Sequence, residues 1–217
     1  MNFDEYALKK PFAKTMPESW INLFFDINKS LKFEGIQKPR ILDYGCGDGR
    51  VFFFLSQNGF DKALLYGCDV SKVRLERCKK LGWKNIKLIG GSKLNYKKDY
   101  FHFINMMEVI EHIEGELANA LLKSISNILH PNGYFLITTP NYPIKRFYDF
   151  WAAFFFGQTQ RFLDDPTHYE LYSHKKLKEK LQLHFNSVEE KDFKNGFLYK
   201  YIRIGFFKHK ICYLCRK

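Results

Sequence analysis

Three glycines fall within five residues, at Gly45, Gly47 and Gly49, immediately after the run Ile41-Leu42-Asp43-Tyr44. The residues before them read as a buried strand, and Val51 to Asn58 read as a helix that stops at Gly59. A strand, a turn that needs glycine's conformational freedom, and a helix start together make the ligand corner of an α/β sheet. The spacing also selects the ligand. Loops that hold a pyrophosphate run G-x-G-x-x-G, whereas here the third glycine comes one residue early and Asp43 precedes the set. A carboxylate at that point repels a phosphate and attracts a cation.

The same alternation continues along the chain. Strands are expected at 63–68, 85–89, 100–106 and 134–138, and helices at 72–81 and 114–129. Ser71 suits the N-cap of the first of these helices and Gly82 its stop. Alternating strands and helices predict a parallel sheet with helices on both faces. A helix over 17–33 precedes the first strand, inside an N-terminal helical segment covering 1–39. After Pro140 the pattern changes to an aromatic helix at 144–156 and a second helix at 174–184. Strands at 187–193 and 205–214 follow, joined by a long connection. The simplest organisation is one domain over 1–217, with an insertion at 142–172.

Composition sets limits on this picture. With 217 residues, of which 46% are hydrophobic, the chain supports one buried α/β core. It has no apolar run long enough to span a bilayer and no apolar leader at its start, so a cytoplasmic protein is expected. The five cysteines, Cys46, Cys68, Cys78, Cys212 and Cys215, are then expected as free thiols. Cys212 and Cys215 form a C-x-x-C, but a zinc site calls for a second pair. The net charge of +12 points to an anionic partner, whether nucleic acid, a phosphorylated substrate or a membrane surface. A general lysine bias accounts for it equally well, because the lysines are spread along the chain.

Asp69 ends the second strand about twenty residues beyond the glycine loop, where a carboxylate accepts both hydroxyls of a ribose. Ile41 to Gly49 resembles motif I of the class I S-adenosylmethionine (SAM) methyltransferases, and Tyr66-Gly67-Cys68-Asp69-Val70-Ser71 resembles their acidic motif after the second strand. Leu129-His130-Pro131-Asn132-Gly133 is similar to their turn before strand five, and Thr138-Thr139-Pro140-Asn141 to that strand's end. The resemblance spans roughly 40–193. It implies a Rossmann-like, seven-stranded, mostly parallel sheet whose last strand is antiparallel. It also implies SAM as cofactor, bound by Asp43, Gly45, Cys46, Gly47, Gly49, Asp69, Val70, Ser92 and Met107. The chain departs from the family in having Gly91-Ser92 after strand three and His102 in strand four, where acids are common.

Glu108, Glu111 and His112 follow strand four at i, i+3 and i+4, a spacing that puts them on one face of a helical turn. Two readings stay open. In one, these three side chains and His168 bind a divalent Mg, Mn or Zn ion that activates an acceptor hydroxyl. In the other no metal is used, His112 and Glu111 are the catalytic pair, and His112 serves as general base or hydrogen-bonded support. Ubiquinone-pathway O-methyltransferases share the Glu-x-x-Glu-His run and a Thr-His pair like Thr167-His168. Small-RNA 3′-terminal 2′-O-methyltransferases also share the run, and a stretch similar to Gly91-Ser92-Lys93-Leu94-Asn95-Tyr96. The aromatic segment 144–157 fits a lid over the acceptor, a peripheral membrane contact or plain core packing. The expected activity is O-methylation of a small, lipid-linked or cell-envelope sugar hydroxyl. The alternatives are methylation of an RNA 3′ end and a non-catalytic protein that binds SAM or nucleic acid.

Overall fold

The structure is a computed structural model that describes residues 3–9, 16, 18–90, 93–142, 144–156, 168–192 and 210–217. Ser92, Thr167 and the start of the last expected strand, 205–209, lie outside the described residues.

Seven strands form one sheet: β1 (Ile41–Tyr44), β2 (Leu65–Asp69), β3 (Ile86–Leu88), β4 (Phe101–Met107), β5 (Leu129–Pro140), β6 (Ser187–Glu190) and β7 (Lys210–Arg216). Their spatial order is β3-β2-β1-β4-β5-β7-β6. The first five run parallel, and β7 is antiparallel to both neighbours. This is the Rossmann-like arrangement implied by the sequence. From β1 the chain first builds outward through β2 to β3, then returns to place β4 on the other side of β1. That reversal leaves a crevice at the carboxyl ends of β1 and β4, the customary ligand position in such sheets.

The helices are α1 (Phe3–Lys9), α2 (Glu18–Phe33), α3 (Arg50–Gln57), α4 (Lys72–Lys80), α5 (Gly115–Ile128), α6 (Ile144–Phe156) and α7 (His174–Gln182). Two apolar cores divide them. Leu121, Leu122 and Ile125 of α5 and Leu177 and Leu181 of α7 pack on one face of the sheet with Leu42, Ile104 and Phe135. Trp20, Phe24 and Ile27 of α2 and Phe52 and Leu55 of α3 pack on the other with Ile41, Phe103 and Leu136. Strand alternation feeds both: Ile41 goes one way and Leu42 the other, so β1 is buried on each side.

Most boundaries fall within a few residues of expectation, with three differences. Helix α1 lies inside the expected N-terminal helical segment 1–39, as a separate helix ahead of the one placed at 17–33, and its Ala7 is fully buried against the rest of the fold. Strand β5 begins five residues earlier than expected, because Leu129 pairs with Phe101 before a bulge brings Tyr134 opposite Phe103. Ala63 and Leu64 form a 3₁₀ turn rather than the start of β2. Cys212 and Cys215 sit three apart on β7, so their thiols enter opposite cores and one ion cannot take both. No described helix is long and apolar enough to cross a membrane. Helix α6 occupies the expected span, with Phe150, Trp151, Phe154 and Phe155 exposed.

Candidate active site

The glycine loop is shaped by what surrounds it. Gly45, Gly47 and Gly49 all take positive φ, at 76°, 54° and 82°. A Cβ on Gly45 would lie 2.4 Å from Val109 Cγ2, so a side chain there is excluded by space as well as by conformation. The N–H groups of Gly45 and Cys46 both donate to the Cys68 carbonyl, at 2.8 and 3.0 Å, which pins the loop to the end of β2. Asp48 is turned away from the crevice. It binds Arg74 and Arg77 of α4, each at 3.3 Å. The Cys46 side chain is buried in the α2–α3 core, so Cys46 presents its backbone to the loop.

Two carboxylates flank this loop. Asp43 is buried at the end of β1, where Asn105 Nδ2 donates to its Oδ1 at 2.6 Å. Burial pushes the Asp43 carboxyl up to about 7, with the Asn105 hydrogen bond opposing the rise and the Asp69 charge adding to it. Asn105 Oδ1 is buried with no hydrogen-bond partner among the described residues. Asp69 accepts from Gly47 N–H and Ser71 N–H, both at 2.8 Å, so its carboxylate faces are fixed by the backbone. Burial raises its pKa, and those two hydrogen bonds oppose the rise. Val70, next in sequence, is exposed at 46%, and Met107 at the end of β4 is partly buried.

Across the crevice, the expected single face of Glu108, Glu111 and His112 does not form. Glu108 adopts φ 59° and stands outside the 3₁₀ turn Ile110–His112. Its carboxylate takes Lys210 Nζ at 2.5 Å and the Thr138 hydroxyl at 3.0 Å, which holds β7, β5 and the β4 loop together. Glu108 is therefore separate from the group that does assemble. Glu111, His112 and His168 each bring a ligand-type atom within 4.8 Å of the others. The His112 and His168 rings lie 4.8 Å apart, and His168 Nδ1 shares a hydrogen bond of 3.0 Å with the Tyr142 hydroxyl. Glu111 is 1% exposed, and Thr139 Oγ1 donates to it at 2.9 Å. Burial, reinforced by the Glu108 charge, lifts its carboxyl above the usual carboxylate range. Its carbonyl accepts from Tyr169 N–H and Glu170 N–H, at 2.8 and 3.1 Å, and so draws His168 to the site across more than fifty residues of sequence.

Helix α1, inside the expected N-terminal helical segment, reaches the site, a role the sequence reading did not give it. Asp4 accepts from Ser71 Oγ at 2.6 Å and from Val73 N–H at 3.1 Å, at the start of α4. Phe3 meets the His112 ring edge-on at 6.2 Å. Helix α1 thus bridges the loops after β2 and β4, the two strands on either side of β1. The only available signal was a pair of acids, Asp4 and Glu5, at the start of a short helix.

Residues 12–184 match the family described as a methyltransferase domain. No curated protein matches the chain. Among solved structures, a SAM-dependent methyltransferase from Archaeoglobus fulgidus superposes with a TM-score of 0.63 at 20% identity, covering 89% of this chain and 94% of that one. A SAM-dependent methyltransferase from Clostridium acetobutylicum gives 0.63 at 15% identity, covering 93% and 92%. One from Mesorhizobium loti gives 0.58 at 15%, covering 82% and 91%. The shared strand order, the glycine loop at the end of β1 and the family match over most of the length agree: this chain belongs to the methyltransferase-domain family.

Proposed function

We propose that the chain is a SAM-dependent O-methyltransferase acting on a small, lipid-linked or cell-envelope sugar hydroxyl. The observation that carries the reading is the pair of buried carboxylates, Asp43 and Asp69, on either side of a glycine loop closed to side chains. The residues suit SAM. Asp43 and the unpaired Asn105 Oδ1 are acceptors for an ammonium group, and Asp69 is an acceptor for ribose hydroxyls. The donor, when bound, supplies a methyl group already activated on a cationic sulfur.

The chain's own residues then position the acceptor and take its proton. His112 and His168 face each other beyond the end of β4, where an imidazole serves as general base for a hydroxyl. Tyr142 holds the His168 ring through its hydroxyl. Glu111 supports His112 from behind as a buried, Thr139-bonded carboxyl. Helix α1 and Phe3 limit water at the same place.

A second reading adds a divalent cation held by Glu111, His112 and His168, whose donors already lie within 4.8 Å of one another. Such an ion would lower the pKa of the acceptor hydroxyl. Glu108, paired with Lys210, is not part of that set.

Calorimetry with SAM and S-adenosylhomocysteine, with turnover of labelled SAM over a panel of hydroxylated acceptors, tests the proposal. His112→Ala is expected to leave S-adenosylhomocysteine affinity within about twofold and to cut turnover by about 100-fold or more. Absence of affinity for both SAM and S-adenosylhomocysteine overturns it. Turnover that survives chelation and is unchanged by added Mg²⁺, Mn²⁺ or Zn²⁺ removes the metal reading alone.

A further inference from the structure

The amino ends of the strands, opposite Asp43 and Asp69, carry a second cavity of about 410 Å³. Tyr66, Tyr96 and Tyr100 line it together with Lys84, Lys87 and Lys97. Lys84 and Asn85 lead into β3 and Tyr100 leads into β4, which places the opening at the β3 edge of the sheet. Its volume is that of a small-ligand pocket.

Its chemistry is unusual for plain surface. The Tyr66 and Tyr100 hydroxyls bond each other at 2.9 Å and their rings meet edge to face at 5.7 Å, giving a firm aromatic wall. Lys87 Nζ lies 4.3 Å from the centre of the Tyr96 ring. The Tyr96 hydroxyl is buried and has no hydrogen-bond partner among the described residues. The acid next to the lining, Asp99, is already committed to Lys217. Lys84, Lys87 and Lys97 are exposed and form no ion pair among the described residues. From Lys72 to Lys98 the sequence has ten Lys and Arg against the single acid Glu76. The potential over this edge is therefore strongly positive and extends beyond the cavity itself.

We propose that this cavity binds a nucleotide, with its phosphate on Lys84, Lys87 and Lys97 and its base against the tyrosine rings. Lysines alone would suit any anion. The aromatic wall selects one with a planar face, and the exposed Lys93 and Lys98, on the same segment as Lys97, offer places for further phosphates. The ligand is either a free mononucleotide or one unit of an RNA strand. The inference does not depend on the methyl-transfer reading, because none of its residues belongs to the crevice at Asp43 and Asp69.

The test is calorimetry on the full chain, run with and without S-adenosylhomocysteine, so that the result is read whether or not the first crevice is filled. Uridine 5′-monophosphate is expected to bind about tenfold or more tightly than uridine or inorganic phosphate. The exposed-site variant Lys84→Glu/Lys87→Glu/Lys97→Glu should weaken it by about tenfold or more, while the melting temperature and S-adenosylhomocysteine affinity stay unchanged. A short uridine oligonucleotide that binds more tightly than the monophosphate, with a steep salt dependence, identifies a strand as the source. Equal or weaker oligonucleotide binding identifies the free nucleotide. The proposal is overturned if the monophosphate binds no better than phosphate, or if the charge reversals leave its affinity intact. Oligonucleotide binding without monophosphate binding also overturns it, since that describes a basic surface with no base pocket.

Discussion

Asp43 lies buried at the end of β1, hydrogen-bonded to Asn105. Its carboxyl titrates near 7 rather than 3.8 because burial disfavours the charge. Between those values the native state holds a proton that the unfolded chain has released, so this group's contribution to stability falls as pH rises through the window and is flat above it. Asp43→Asn, which keeps an acceptor for Asn105, should therefore stabilise the protein at pH 8; a gain of about 1 kcal/mol raises the melting midpoint by roughly 2–4 °C. On the proposed binding mode, in which the Asp43 charge meets the ammonium group, the same variant should lose about tenfold or more in S-adenosylhomocysteine affinity by calorimetry. In the parent protein that affinity should weaken as pH drops from 8 to 6, because a neutral Asp43 attracts no cation. Gly45 carries a different constraint. Gly45→Ala meets both a positive φ and Val109 at 2.4 Å, whereas Gly59→Ala meets φ 83° with open space around it. Urea unfolding should show Gly45→Ala as the more destabilising by about 1–3 kcal/mol.

Among the elements, α1 and the Glu108–Lys210 bridge do what no single motif encodes. Helix α1 is only seven residues long and cannot hold its shape alone. It is held by Asp4 on α4, Phe3 on His112 and the buried Ala7. Deleting residues 1–9 should speed S-adenosylhomocysteine release, measured by stopped-flow displacement, with little change in far-ultraviolet circular dichroism. Equal release rates would mean that α1 only packs and does not cover the crevice. Glu108 serves the sheet: with Lys210 and Thr138 it ties the β4 loop to β5 and β7. Its spacing with Glu111 suggested a shared ligand face, but the positive φ at Glu108 separates them. A helical-spacing argument holds only where the backbone is helical.

At the scale of the molecule, the central strands of the sheet are buried on both faces and join the two cores into one unit. A ligand that binds only the folded chain should therefore raise a single melting transition. S-Adenosylhomocysteine at about 100 times its Kd contributes about 2.7 kcal/mol, or roughly 5–10 °C for a chain of this size. Two separate transitions would show that the cores unfold independently. The alternation of strands with helices and the placing of Asp43 and Asp69 at strand ends were legible because they rest on local signals: period-two burial, helix stops and a glycine turn next to an acid; the order β3-β2-β1-β4-β5-β7-β6 emerged only from the structure. His168 was expected beside His112 and is found there, but the diversion of Glu108 to Lys210 and the seating of α1 depend on contacts between residues far apart in sequence that no spacing announced. Sequence by itself determined most of the strands and which end of β1 carries the glycine turn, since backbone geometry and hydrophobic alternation act over a few residues. Tertiary structure alone decided which side chains face each other there, because that follows from how the loops pack once the sheet has brought them together.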